Sequence, residues 1–252
     1  MEPGVHSFYP YRNGGSSRRR LTRRSNVRPA TVFVPQDASL SPEAHFPLQT
    51  SVRATFPRFI NRFDSREILV VVDGSCINNG RHANKLQEPI GGCAFVFKGS
   101  PSGSVAFRLE REGPDGSPAE HTSNRAKLRA VIAALQFRAW GGEGWRRVVI
   151  LTDLEYIVWG ATRWLPLWVA RRWRRPRGRG MVMNRDLWEE LQYRIEELRA
   201  LGCEVSFWLV TDEGEEHSSR VIARAKEAAR RAARECSDEQ VEKFTRLCGI
   251  LT

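Results

Sequence analysis

A chain of 252 residues with 41% hydrophobic and 27% charged residues has material for one or two globular domains with a real core, and too little charge imbalance for wholesale disorder. No uninterrupted apolar run approaches the ~20 residues of a membrane span, and the five cysteines (76, 93, 203, 236, 248) lack any C-x-x-C spacing, so the sequence suggests neither a disulfide framework nor a zinc site and fits a reducing compartment. Forty Lys and Arg against 29 Asp and Glu give +11 and a pI near 10.1, which points to nucleic acid or another anionic surface as partner. The excess is local. Residues 1–35 carry seven Arg against Glu2 and residues 159–180 carry seven Arg and no acid, so these two segments hold +13 and the remainder of the chain is −2.

Up to about Arg62 the chain is rich in Pro, Ser, Arg and Gly without a sustained period, and residues 1–62 read as a disordered or loosely attached leader. Its SSRRRLTRRSNVR stretch reads as a nuclear or mitochondrial address, or as a solvated tail that adds electrostatic grip. A folded domain is expected over 63–236. EILVVVDGS is a β-branched apolar run typical of a buried strand that delivers Asp73 to its end, and GGCAFVFK and SVAFRLE complete a three-strand meander. HTSNRAKLRAVIAALQFRAW is a helix with Thr122 or Ser123 as N-cap, running to Trp140 before Gly141-Gly142. RRVVILTD is a fourth strand ending in Asp153. NRDLWEELQYRIEELRALG is an amphipathic helix closed by Gly202, and CEVSFWLV is a fifth strand. After the acidic loop TDEGEEHSS comes the helix RVIARAKEAARRAAR. The S-x-x-Q box that opens SDEQVEKFTRLCGIL predicts a short C-terminal helix over 237–252. This order gives an α/β domain with a five-stranded mixed sheet covered on both faces.

Adjacent strand ends in an α/β sheet bring side chains to one rim, so Asp73 and Asp153 form a carboxylate pair that can meet a divalent metal. VVVDGSCINNG, GGCAFVF, TSNRAKLRAVIAAL, LTDLEYIV, NRDLWEEL and the Ala-rich ARAKEAA, in this order, resemble a type 1 ribonuclease H over roughly Phe63 to Ala233, in a fungal-like variety with an Arg- and Trp-rich middle. The resemblance implies a ribonuclease H-like fold. It also implies Mg²⁺- or Mn²⁺-dependent endonucleolytic cleavage of the RNA strand of an RNA/DNA hybrid, with four carboxylates holding two ions.

By that resemblance Asp73 and Asp153 occupy two catalytic, metal-holding positions. The glutamate of the family's N-R-A-E-L-R motif is Lys127 here, and the aspartate of its last-helix pattern A-D-x-x-A-K-E-A-A is Ile222. Asp73, Asp153, Lys127 and Ile222 together carry a formal −1 in place of −4, so the chain reads as a member with degenerate carboxylates that binds hybrid and cleaves it weakly or not at all. The alternative is an active Mg²⁺-dependent hybrid endoribonuclease, with acids of the 212–216 loop completing the site and His217 acting in product release. Lys127 shares a helix face with Ala130, Val131 and Ala134, and its expected role is to pair with the strand-end aspartates.

WGATRWLPLWVARRWRRPRGRG is similar to the family's basic protrusion, with Arg163, Arg171, Arg172, Arg174 and Arg175 meeting phosphates and the tryptophans mostly structural. Asn78 and Asn124 match positions that contact RNA 2′-hydroxyls in the minor groove. The expected partner is an RNA/DNA hybrid or double-stranded RNA, with no membrane, and the chain is expected to be an intracellular monomer.

Overall fold

The computed structural model describes residues 27–51, 54–79, 87–99, 103–176, 180–210, 220–235 and 242–247. Its centre is β4 (Glu67–Ile77), whose residues 67–74 are all buried. Ile68, Val70 and Val72 join the larger core cluster, whereas Leu69 and Val71 join a second on the opposite face. This is why the strand reads as a continuous apolar run and not as an alternation.

β5 (Ile90–Val96) and β6 (Ser104–Arg108) extend the sheet antiparallel on one side of β4. On the other side β7 (Arg147–Thr152) and β8 (Glu204–Leu209) run parallel to it. The larger face is covered by α2 (Ser123–Phe137) and α5 (Arg185–Ala200), and the other by α6 (Arg220–Arg234). Thr122 Oγ1 caps α2 by accepting from Arg125 N–H at 3.1 Å.

The architecture corrects the sequence reading in four places. The sheet has six strands, not five, in the order β1-β8-β7-β4-β5-β6, because β1 (Thr31–Val32) pairs in parallel with Ser206 and Phe207. Residues 27–62 are therefore not a loose leader. They include α1 (Pro42–His45) and the hairpin β2 (Leu48–Ser51) and β3 (Ala54–Phe59), and they bury Phe33, Phe46, Phe59 and Ile60. Residues 1–26, the greater part of the Arg-rich stretch, lie outside the described residues.

Third, α2 stops at Phe137 and not at Trp140. Arg138 is extended, its Nε donates to Glu143 at 2.5 Å, and Trp140 folds back to donate to the Ala134 carbonyl at 3.0 Å. Fourth, residues 242–247 of the expected C-terminal helix are not helical. They lie along the domain, where the fully buried Arg129 donates to Glu110 and to the Thr245 carbonyl and stacks on Phe244. The capping box at Ser237 lies outside the described residues.

Two glycines set the helices against the sheet. A Cβ on Gly74 would stand 2.2 Å from the backbone nitrogen of Lys127, so only glycine lets α2 cross β4 this closely one residue after Asp73. A Cβ on Gly92 would stand 2.2 Å from the Ala229 carbonyl, and the small face Ala225, Ala228, Ala229 and Ala233 lets α6 cross β5 on the opposite side.

Candidate active site and nucleic-acid interface

Val71 and Leu151 are the last paired residues of β4 and β7, and two residues further on Asp73 and Asp153 come level. Asp153 lies one residue past β7, but Asp73 does not end its strand as expected from the sequence, because β4 runs on to Ile77 against β5. Gly74 brings α2 down onto this point, and the Lys127 ammonium enters between the carboxylates. Its Nζ lies 2.9 Å from Asp73 Oδ1 and 2.5 Å from Asp153 Oδ1. From the other face α6 sends Lys226, whose Nζ is 3.0 Å from Asp153 Oδ2. Asp73 is only 6% exposed, and its Oδ1 is paired with the Lys127 ammonium.

The electrostatics follow from this placement. Burial raises the Asp73 pKa, with Lys127 opposing it. Burial also opposes the charge of Lys127, but Asp73 and Asp153 outweigh it and hold that pKa above the ordinary 10.5, so Lys127 is an ammonium at neutral pH. Burial works against Asp153 as well, and its two lysine partners more than offset this, so its carboxyl is held below 3.8. The formal charge of Asp73, Asp153, Lys127 and Lys226 is zero.

Ile222 lies on α6 one helical turn before Lys226 and brings an apolar side chain where the resemblance implies a carboxylate. It packs half-buried on the cluster containing Val71 and Leu151, alongside Val210 and Val221. Loop residues 211–219, with His217 and the acids between 212 and 216, lie outside the described residues.

These donors do not fit a divalent cation. Mg²⁺ and Mn²⁺ need several oxygen ligands in a site of net negative charge. Here two carboxylates already share an ammonium, and no group of three or more His, Cys, Asp or Glu gathers among the described residues. Burial pushes the thiol of Cys76 up to about 11 and that of Cys203 up to about 12, so neither is a thiolate at neutral pH.

An open cleft of about 540 Å³ has a lining that includes Thr122, Arg125, Asn184 and Asp186. Sequence reasoning missed its central pair. Arg125 is 4% exposed and holds Asp186 through two bonds of 3.0 and 2.5 Å, tying the starts of α2 and α5 together. The signal was present in the N-R-A-K and N-R-D segments, but nothing local says that these two positions meet. Asn124 is exposed in the first turn of α2, and Asn78 occupies a left-handed turn after β4 (φ 55°), where its side-chain amide donates to the Gln87 carbonyl.

The basic segment comprises α3 (Glu155–Trp159), a π-helical turn Gly160–Trp164 and α4 (Leu165–Ala170). Trp168 packs 5.1 Å from the fully buried Trp188 and 6.4 Å from Trp173, which roots the segment in the core. Arg171, Arg172, Arg174 and Arg175 are all exposed, and Arg163 lies over the Trp159 ring at 4.0 Å. Trp164 is 37% exposed and so belongs partly to the surface.

A six-stranded mixed sheet with helices on both faces and two aspartates level just past the parallel pairing of its central strands is the frame of a ribonuclease H-like domain. The RNase H family model matches residues 65–201, and this chain belongs to that family. It is 31% identical over 176 residues to the Ribonuclease H of Treponema pallidum, covering 68% of this chain and 95% of that one. It is 30% identical over 174 residues to the Ribonuclease H of Xanthomonas oryzae, covering 68% and 99%. Among solved structures it is similar to LC9-RNase H1, a type 1 RNase H with the type 2 active-site motif, at 32% identity over 66% of this chain and 72% of that one, with a TM-score of 0.45.

Proposed function

We propose that this chain is a ribonuclease H-type domain that engages an RNA/DNA hybrid and cleaves its RNA strand weakly or not at all. The observation that carries the reading is the Lys127 ammonium, 2.9 Å from Asp73 and 2.5 Å from Asp153. It stands against the carboxylates that in this family would meet metal. When bound, two divalent ions would activate water and stabilise the leaving oxygen, contributions of several kcal/mol each (~10²-fold or more in rate). A cluster of formal charge zero lacks the negative charge that holds them.

The binding side is supported by the exposed arginines 163, 171, 172, 174 and 175 on a Trp-anchored base, suited to phosphates of the DNA strand. Asn78 and Asn124 are assigned to the minor groove of the hybrid, where a 2′-hydroxyl distinguishes RNA. Double-stranded RNA presents the same groove and is the second duplex to test. The chain is proposed to act as a monomer.

The test is a pair of measurements on one labelled hybrid: a binding titration and single-turnover cleavage in Mg²⁺ and in Mn²⁺. Saturable binding with RNA cleavage orders of magnitude below that of an RNase H with all four carboxylates is expected. Replacing Arg171, Arg172, Arg174 and Arg175 with Ala should flatten the plot of log K against log salt by up to about 0.9 per lost phosphate contact. Full-rate cleavage abolished by Asp73→Asn would establish the active endoribonuclease instead, and an unchanged salt slope would remove the arginine segment from the interface.

A further inference from the structure

The same rim also presents cations to whatever duplex it meets. Two strand-end carboxylates without counter-ions would repel a backbone phosphate, and a divalent ion is the ordinary means of joining two such anions. Here Lys127 lies against both carboxylates and Lys226 against one, from opposite faces of the sheet, and their side chains remain 15% and 25% exposed. An ammonium has three N–H donors. Lys127 directs two of them at Asp153 Oδ1 and at Asp73 Oδ1, 2.9 Å away.

We infer that Lys127 and Lys226 serve as built-in counter-cations, so that a phosphodiester of the bound strand docks at this rim with no divalent ion. The inference rests on the hybrid-binding reading and deepens it, since it states what replaces metal at the strand ends. Lys226 matches a lysine already present in the last-helix pattern of the family, so the decisive change is at Lys127, where a cation stands in place of an acid. Asp73 and Asp153 then act as positioning residues that hold the two ammonium groups.

The experiment compares hybrid affinity in EDTA and in Mg²⁺ at matched ionic strength, for the full chain and for Lys127→Gln, Lys226→Gln and Lys127→Arg. The unaltered chain should bind within about twofold in the two buffers, because its phosphate contacts are all to protein cations. Lys127→Gln uncovers a net negative rim and should bind about tenfold more weakly in EDTA, with Mg²⁺ restoring it, as expected for one unscreened charge near a phosphate. Lys226→Gln should act in the same direction and keeps the test decisive if Lys127→Gln does not fold by circular dichroism. Lys127→Arg, which keeps the charge, should remain indifferent to Mg²⁺. Should the unaltered chain lose tenfold or more in EDTA, or should neither Gln variant acquire a Mg²⁺ response, the inference is overturned while hybrid binding stands. Absence of hybrid binding in both buffers overturns both.

Discussion

At the scale of single residues, Lys127 decides the character of the rim. Breaking a buried ion pair from one side costs about 3–5 kcal/mol, because the partner is left buried and uncompensated. Lys127→Glu goes further and places a third carboxylate beside Asp73 and Asp153, with only Lys226 in opposition. Like charges in one site raise one another's pKa, and a cation that binds only the folded state reverses the cost. The variant should have a lower urea midpoint than its parent in EDTA and recover much of the loss in Mg²⁺ or Mn²⁺, whereas the parent should not respond. Adding Ile222→Asp should raise hybrid cleavage above that of the single change. A double variant that folds and binds hybrid but stays inert in Mn²⁺ would mean that more than these two positions disables the site.

Much of this site was legible in the sequence, because Asp73 and Asp153 each follow an apolar run of neighbouring parallel strands, although β4 itself continues past Asp73 to Ile77. Lys226 was not singled out. It lies one helical turn beyond Ile222, and its reach to Asp153 depends on where α6 crosses the sheet, which Gly92 and the alanine face settle over long sequence separations. The Arg125–Asp186 pair was hidden for the same reason.

At the scale of elements, the segment before β4 is the largest departure from the sequence reading. A strand of two residues has no period to detect, and β1 exists because Ser206 and Phe207 of β8 accept it in register, a pairing that no local pattern announces. Its anchor is aromatic. Phe33 packs 5.1 Å from Trp208, and His45 packs edge-on to both at 5.6 and 5.5 Å.

His45 is fully buried, its Nε2 accepts from Gln36 N–H at 3.1 Å, and burial lowers its pKa from 6.5, with Glu67 opposing. A base whose folded pKa is depressed contributes stability that is fully present above its unfolded pKa and is lost as pH falls from there through the folded value. Stability to urea should therefore decline as pH is lowered below 6.5, and the decline should be smaller in His45→Phe, which keeps the ring and removes the proton. Identical pH profiles for the two proteins would show that His45 does not titrate with folding. Residues 27–62 should also be indispensable. Phe33, Phe46, Phe59 and Ile60 are each 5% exposed or less, and at ~1.5–3 kcal/mol per buried side chain their loss rivals the whole stability of a domain.

At the scale of the molecule, the +11 net charge is divided between tasks. The exposed arginines of the segment after β7 are the proposed surface for phosphate, while the cluster of Asp73, Asp153, Lys127 and Lys226 is formally neutral. The fold of the family is retained, and the proposed difference is in which ions Asp73 and Asp153 hold. The most direct measurement is a Mn²⁺ titration followed by paramagnetic broadening of the backbone amides around Asp73 and Asp153, in the unaltered chain and in the Lys127→Glu, Ile222→Asp variant. The account predicts no saturable broadening at these amides in the unaltered chain and saturable broadening in the variant. Saturable Mn²⁺ binding at Asp73 and Asp153 with Lys127 in place would contradict it.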